Sequence, residues 1–167
     1  MRASKSSHNV ALFDGMRVSI LDHNNVYAGS LLANEEITDV AFNEDNQFLL
    51  NAVTDDCIYE WDLRKFQASK LEKKYLGFTS MCVNSHSLSV GSKLGTVYIY
   101  DATNLKQEAI ENNNLVTHIT QIRQNENSDM MIAISKWKQN GMRVLDTATG
   151  RSLGEWPGPR TKVGFPM

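Results

Sequence analysis

The chain has 167 residues, of which 41% are hydrophobic and 22% are charged, and its formal net charge is −2. This composition is typical of an ordinary soluble globular domain, and the near-neutral charge neither requires nor excludes a nucleic-acid partner. The sequence contains no apolar run long enough to cross a membrane, and the apolar stretch at 10–13 is too short for the core of a signal peptide.

Four short apolar strands end on an aspartate at nearly constant intervals. These strands are predicted at 16–22, 57–62, 96–101 and 142–146, ending on Asp22, Asp62, Asp101 and Asp146. Consecutive aspartates are 40, 39 and 45 residues apart. A period of about 40–45 residues built from short strands is typical of the four-stranded blades of a β-propeller. The pair Trp61-Asp62 resembles the dipeptide after which WD40 repeats are named, and Tyr100-Asp101 is its aromatic equivalent in the next repeat.

The segments between the aspartates repeat one order of strands and polar turns, which predicts an all-β fold of antiparallel blades. The predicted blade segments are 9–31, 37–71, 78–110 and 118–156, with 162–167 as the start of a further blade. The first blade is predicted to be partial, because residues 10–13 look like a second strand without a first. Both cysteines, Cys57 and Cys82, fall in predicted strands, which favours an intracellular, disulfide-free protein.

This count gives an incomplete WD40-type propeller of roughly three and a half to four blades. A closed seven-bladed ring needs on the order of 300 residues at this period, so the sequence predicts part of a longer propeller. Its two end blades would then expose apolar faces that favour association. Gly95 is predicted to close the hairpin between the second and third strands of one blade, at a position that needs positive φ.

The sequence departs from the usual WD40 pattern in its histidines. Many WD40 blades carry a Gly-His pair before the inner strand, and this histidine bonds to an aspartate, a hydroxyl and the tryptophan. No Gly-His pair occurs here, and the four histidines stand at other places, namely His8, His23, His86 and His118. We therefore expect blades that are held by packing more than by that polar network.

No combination of residues predicts catalysis, a metal site or a cofactor site. The adjacent acidic pairs at 35–36 and 55–56 lie in predicted loops, where turn formation and solvation explain them. The sequence has no cysteine or histidine cluster with metal spacing, no phosphate-binding glycine loop and no nucleophile elbow. The strand aromatics are predicted to pack within blades rather than stack on bases: Tyr59, Trp61, Tyr98 and Tyr100. A protein without enzymatic activity is predicted.

Basic residues are predicted to gather on one face of the propeller. Loops between blades and turns between second and third strands open on the same face, and those of the second half of the chain are assigned Lys70, Lys73, Lys74, Lys93, Lys136, Lys138, Arg160 and Lys162. The acidic loop pairs at 35–36 and 55–56 lie in the first half. One interpretation is a set of ordinary solvated side chains, and the other is contact with RNA phosphates or with a protein partner.

The second half of the sequence resembles a particular WD40 family. Residues 90–101, Val-Gly-Ser-Lys-Leu-Gly-Thr-Val-Tyr-Ile-Tyr-Asp, resemble a strand pair of the U3 small nucleolar RNA-associated protein 18 family. Residues 115–120 and 131–136 are similar to a later passage of that family, and Trp156-Pro157 resembles its aromatic-proline ending. The family's N-terminal extension has no counterpart in this sequence.

The resemblance implies a non-catalytic scaffold subunit of the nucleolar small-subunit processome, which assembles on pre-ribosomal RNA and supports pre-rRNA processing and 18S rRNA maturation. The implied partners are other propeller subunits, with U3 RNA or the pre-rRNA backbone as a further contact, and neither a membrane, a small-molecule substrate nor a cofactor. The alternative is a general WD40 interaction adaptor, such as a ubiquitin-ligase substrate receptor or a trafficking-coat subunit in the cytoplasm. That alternative predicts no family likeness over 90–156.

Overall fold

The computed structural model describes residues 2–3, 8–43, 46–65, 67–72, 76–125, 127, 129–156 and 158, with residues 2, 67–70 and 72 described by their backbone only. These residues form sixteen strands in four antiparallel sheets of four. The described part of the chain has no helix, and so none that is long and apolar enough to span a bilayer. The predicted all-β fold of four-stranded antiparallel blades is confirmed.

Each blade takes its four strands from one continuous segment. The first blade contains β1 (Arg2–Ala3), β2 (Val10–Asp14), β3 (Arg17–Leu21) and β4 (Tyr27–Leu32). The second contains β5 (Ile37–Phe42), β6 (Leu49–Thr54), β7 (Cys57–Asp62) and β8 (Gln67–Glu72). The third contains β9 (Phe78–Val83), β10 (Ser87–Ser92), β11 (Val97–Asp101) and β12 (Ile110–Asn112). The fourth contains β13 (Gln121–Gln124), β14 (Met130–Ile134), β15 (Met142–Asp146) and β16 (Ser152–Trp156).

The first strands of the blades form the inner edge of the arc, with β5 beside β1 and β9, and β9 beside β13. Because the strands of a blade alternate in direction, the turns fall on two opposite faces. We call upper the face with the connections between blades and the turns between second and third strands. The lower face carries the other two turns of each blade.

The structure corrects one prediction about the first blade. The sequence predicts that this blade lacks its first strand, but Arg2 pairs with Ala11 and Ala3 with Val10 in an antiparallel ladder. A strand of two residues is too short to show an alternating pattern, so sequence periodicity does not detect it. The further blade predicted at 162–167 lies outside the described residues.

Apolar clusters between adjacent blades form the core. One cluster, which includes Val18, Leu50 and Trp61, joins the first and second blades. A second lies between the second and third blades and a third between the third and fourth. Buried and less buried residues alternate along strands such as β3 and β14, whereas β10 is buried throughout because it packs against a blade on each side. Contacts between neighbouring blades therefore carry much of the stability, as in other repeat folds.

Gly95 closes the upper turn of the third blade, as its sequence position predicts. Its φ is +86°, and a Cβ there would lie 2.4 Å from the backbone nitrogen of Thr117. Both the backbone conformation and this close approach require glycine. Cys57 and Cys82 do not form a disulfide with each other.

Candidate binding surfaces

The four aspartates of the repeat close the lower turns between third and fourth strands. Asp22 Oδ1 accepts hydrogen bonds from the backbone nitrogens of Asn24 and Val26, at 2.8 and 2.9 Å. In the other blades an aspartate Oδ1 accepts from a backbone nitrogen two or three residues later, in the pairs Asp62–Arg64 at 2.9 Å, Asp101–Thr103 at 2.7 Å and Asp146–Thr149 at 2.7 Å. A side chain that binds its own following backbone is the usual reason for aspartate in turns.

These turn contacts also shift the ionisation of three carboxyl groups. Hydrogen bonds from the side chain and backbone of Arg64 lower the pKa of Asp62 from 3.8 to about 2. Hydrogen bonds from Thr103 lower the pKa of Asp101, and those from Thr149 lower the pKa of Asp146. Hydrogen bonds to the charged form of a carboxyl group favour its ionisation. The lowered pKa values therefore follow from the turn contacts and give no sign of a proton-transfer site.

The aromatic residues of the repeat lie inside the fold. Trp61 and Tyr100 are buried, and Trp61 stacks on Tyr59 with ring centroids 5.5 Å apart. Phe78 meets Tyr98 edge to face at 6.0 Å. These rings are packed against neighbouring blades and have no open face on which a base would stack.

Other residues replace part of the hydrogen-bond network that histidine supplies in many WD40 blades. In the second blade the Thr54 hydroxyl donates to Glu35 Oε2 at 2.6 Å and accepts from the backbone nitrogen of Cys57 at 3.1 Å. In the fourth blade the hydroxyls of Thr117 and Ser135 are 2.8 Å apart. Polar links therefore join the inter-blade loops to the second strands through residues other than histidine, and the greater share of packing in holding the blades stays a prediction.

The upper face has a pocket of about 430 Å³ where the second, third and fourth blades meet. Its polar wall brings together Glu35, Glu36, Asp55, Asp56, Lys93 and His118. The acidic loops of the first half and Lys93 of the second half thus share one pocket. Lys93 Nζ lies 2.5 Å from Asp55 Oδ2, and both side chains are about half exposed. An exposed pair of this kind contributes little stability, but it balances the charge of Lys93.

Of the residues predicted to form one basic surface, Lys93, Lys136 and Lys138 lie on the upper face, and their action as one binding surface stays a prediction. Lys136 is exposed in the upper turn of the fourth blade, and Lys138 Nζ donates there to the carbonyl of Leu115 at 3.4 Å. The sequence predicts Lys70 in a loop, but its backbone lies within β8 and pairs with Tyr59, so this prediction is wrong. Lys73, Lys74, Arg160 and Lys162 lie outside the described residues.

Trp137, which lies between Lys136 and Lys138, is not among the residues predicted to form a binding surface. Its side chain is 66% exposed, whereas Tyr59, Trp61, Tyr98 and Tyr100 are buried. Lys136 Nζ lies 5.0 Å from the centroid of its ring, within the range of a cation–π contact. The sequence signal was present in the run Lys136-Trp137-Lys138, but an aromatic residue flanked by lysines does not show from sequence alone whether its ring is exposed.

No family model matches the sequence. A curated relative from Arabidopsis thaliana, "U3 small nucleolar RNA-associated protein 18 homolog", is 25% identical over 146 residues. The match covers 83% of this chain and 27% of the relative, so the chain spans about a quarter of that protein's length. This distant similarity confirms the resemblance predicted from the sequence.

Solved structures establish the fold class. A chain of the "Crystal Structure of Mitotic Checkpoint Complex" is 12% identical, with a TM-score of 0.80, over 92% of this chain and 48% of that chain. Hsv2 from Kluyvelomyces marxianus is 17% identical, with a TM-score of 0.67, over 90% of this chain and 48% of that one. Both are WD40-type propellers, so the chain has this fold, and it spans about half the length of each of those chains.

Proposed function

We propose that this chain acts as a non-catalytic WD40 scaffold in the nucleolar small-subunit processome and supports pre-rRNA processing and 18S rRNA maturation. The observation that carries the proposal is the 25% identity, over 83% of the chain, to a protein named for its association with the U3 small nucleolar RNA. The propeller fold agrees with such a role, because its blade edges and turn faces serve mainly as interaction surfaces.

The scaffold role depends on surfaces that lie between rigid elements. Among the described residues no group of three or more histidine, cysteine, aspartate or glutamate side chains is placed to hold a metal ion. The polar side chains of the upper pocket lie on loops and turns of three blades. The blades fix the positions of these side chains, so a partner protein binds there in one orientation. In this proposal the protein contributes geometry, and its partners are neighbouring propeller subunits.

RNA contact belongs to the same proposal. Lys136 and Trp137 form an exposed cation and aromatic pair on the upper face, suited to a phosphate and a base of a flexible strand. The double substitution Lys136→Gln and Trp137→Ala should reduce crosslinking of the assembled particle to RNA in this region. The matched change Leu94→Ala, in the exposed upper turn of the third blade, should leave crosslinking unchanged.

Affinity purification of the tagged protein from its natural cells, followed by quantitative mass spectrometry, tests the assignment. We expect nucleolar propeller proteins and the U3 RNA to be enriched together, and the tagged protein to localise to the nucleolus. Recovery of ubiquitin-ligase or trafficking-coat subunits without nucleolar proteins would instead support the general adaptor and overturn the processome role.

A further inference from the structure

The three interfaces between adjacent blades share one arrangement. In each of them the back of one blade, which is the face turned toward the next blade along the chain, packs on the front of that next blade. Front positions include the residue just before the repeat aspartate and its partner on the second strand, in the pairs Trp61–Leu50, Tyr100–Leu88 and Leu145–Met131. All these side chains are buried against the preceding blade.

The front of the first blade has the same apolar positions, but no described blade precedes it. Leu21, just before the repeat aspartate, pairs with Val10, so these two residues stand where the buried front pairs stand in the later blades, and both are partly accessible. Leu12 lies two residues after Val10 and faces the same side, where it is 39% exposed. Leu32 pairs with Arg17 on this face and is 64% exposed.

The back of the fourth blade is the counterpart of this front. Back positions lie two and four residues before the repeat aspartate, as Ile20 and Val18 do in the first blade, where both are buried against the second blade. In the fourth blade these positions and their partners on the second strand are again apolar, in the pairs Val144–Ile132 and Met142–Ile134. None of these four side chains is fully buried, and no described blade follows them.

A polar side chain of the fourth blade also matches an internal interface. In the second blade Asp39 pairs with Val53, and its Oδ2 accepts a hydrogen bond from the backbone nitrogen of Met81 in the third blade at 3.1 Å. Gln121 pairs with Ile134, and Val53 and Ile134 each lie three residues after the front residue of their strand. Gln121 is exposed, so its amide oxygen is placed to accept from the first strand of a blade that packs on this back.

The chain therefore presents one uncovered front and one uncovered back among its described blades, which are the two surfaces that each internal interface joins. It spans about half the length of each of the two similar propeller chains, so two copies supply about as much chain as one of those propellers. Two copies carry eight four-stranded blades, a number within the usual range for closed propellers.

We propose that two copies of this chain pack head to tail, with the back of each fourth blade on the front of the other copy's first blade. A two-fold axis makes the two new interfaces identical and closes an eight-bladed ring. Closure removes Leu12, Ile132 and their apolar neighbours from water, which favours the dimer. This assignment does not depend on the processome role and holds equally for the adaptor alternative.

Charge substitutions in the full chain test the head-to-tail arrangement. Leu12→Glu places a charge on the front of the first blade, and Ile132→Glu places one on the back of the fourth. Sedimentation velocity and native mass spectrometry should show a dimer and no larger species for the natural chain. The matched control Leu94→Glu, at a residue that is 72% exposed in an upper turn, should give the same dimer. Each interface variant alone should be a monomer where the natural chain is a dimer, because either charge would be buried in both new interfaces.

Mixing the two variants, one of them labelled with ¹⁵N, separates head-to-tail packing from packing of like faces. Ile132→Glu keeps an intact front and Leu12→Glu an intact back, so the mixture should form a one-to-one dimer through one interface, weaker than the natural dimer. Leu32→Glu on the front and Trp156→Glu on the back, at residues that are 64% and 54% exposed, repeat the test with other side chains.

The proposal is wrong if the natural chain is a monomer or forms open-ended oligomers. It is also wrong if a front variant or a back variant alone retains the natural dimer, as packing of like faces predicts, or if neither mixture forms the one-to-one dimer.

Discussion

At the scale of single residues, the recurring aspartate is explained by turn chemistry. Each of the four carboxylates accepts from backbone nitrogens that follow it, and so fixes the turn from the third strand to the fourth. Side chains add to these contacts, since Arg64 Nη2 lies 2.7 Å from Asp62 Oδ2 and the hydroxyls of Thr103 and Thr149 each donate to the repeat aspartate of their turn at 2.6 Å. The repeated aspartates are therefore explained by the fold, and the binding of partners depends on other residues.

Asp62→Asn should lower stability in a pH-dependent way. The pKa of Asp62 in the folded chain is about 2, below its ordinary value of 3.8. A lowered folded-state pKa contributes stability above the unfolded-state value, and this contribution is lost as the pH falls from 3.8 through 2. Urea midpoints measured from pH 6 to pH 2 should show a difference between the natural chain and Asp62→Asn that shrinks toward the acid end.

The control for this measurement is Arg64→Gln, which removes the main cause of the pKa shift. In the Arg64→Gln background, Asp62→Asn should change the urea midpoint by a smaller amount, and this change should depend less on pH over the same range. A difference that stays constant from pH 6 to pH 2 in the natural background would contradict the assigned role of the ion pair.

At the scale of elements, alternation and turn chemistry identify most strands from the sequence. Segments such as 57–62 and 96–101 are long enough to show both signals, and the structure places strands there. The two-residue strand β1 shows neither the alternation nor the turn residues. The approach of Lys93 to Asp55 and the placement of Thr147 beside the third blade depend on how whole blades pack. Contacts across about 40 residues or more leave no local pattern, so the sequence reveals the blades but not the pockets between them.

Gly91→Ala should destabilise the packing of the third blade on the fourth. A Cβ at Gly91, in β10, would lie 2.5 Å from Ile119 Cγ2 and 2.9 Å from Ser80 Oγ. Ile119 has little freedom to move, because it is fully buried and its backbone nitrogen donates to Ser92 at 3.0 Å. Overpacking of this kind costs about 1–3 kcal/mol, which urea denaturation will measure as a lower free energy of unfolding.

Gly154→Ala is the matched control on the outer strand of the fourth blade. Nothing lies within 4 Å of a Cβ built at Gly154, so this variant should keep the stability of the natural chain or exceed it slightly. Equal effects of the two substitutions would show that the third and fourth blades do not approach each other at Ile119 as described.

At the scale of the whole molecule, the two end blades turn apolar side chains outward. On the fourth blade, Ile132 and Trp156 are 38% and 54% exposed. Ile134 pairs with Met142, and Met142 pairs with Trp156, so these three side chains lie on one face of the sheet. Ile132 lies two residues before Ile134 on the same strand and is therefore on this face as well. On the first blade, Leu12 and Leu32 are exposed at 39% and 64%. Burying such surface stabilises by about 25 cal/mol per Å², so both faces favour association with another protein surface.

We expect residues 1–167 in isolation to self-associate. Sedimentation velocity should show a weight-average mass that rises with protein concentration, and Ile132→Glu should reduce this rise. Leu94→Glu introduces the same charge at a residue that is 72% exposed in an upper turn, and it should not change the association. A concentration-independent monomer with a sharp two-state melt would contradict this expectation.

The most direct test of the central claim is the ratio of mature ribosomal RNAs after rapid depletion of the protein in its natural cells. The proposed scaffold role predicts a fall in 18S rRNA and accumulation of its unprocessed precursor, while the large-subunit rRNA stays constant at early times. Re-expression of the natural protein should restore the ratio. An unchanged 18S level after complete depletion, or a parallel fall of both mature RNAs, would contradict a role in the small-subunit processome.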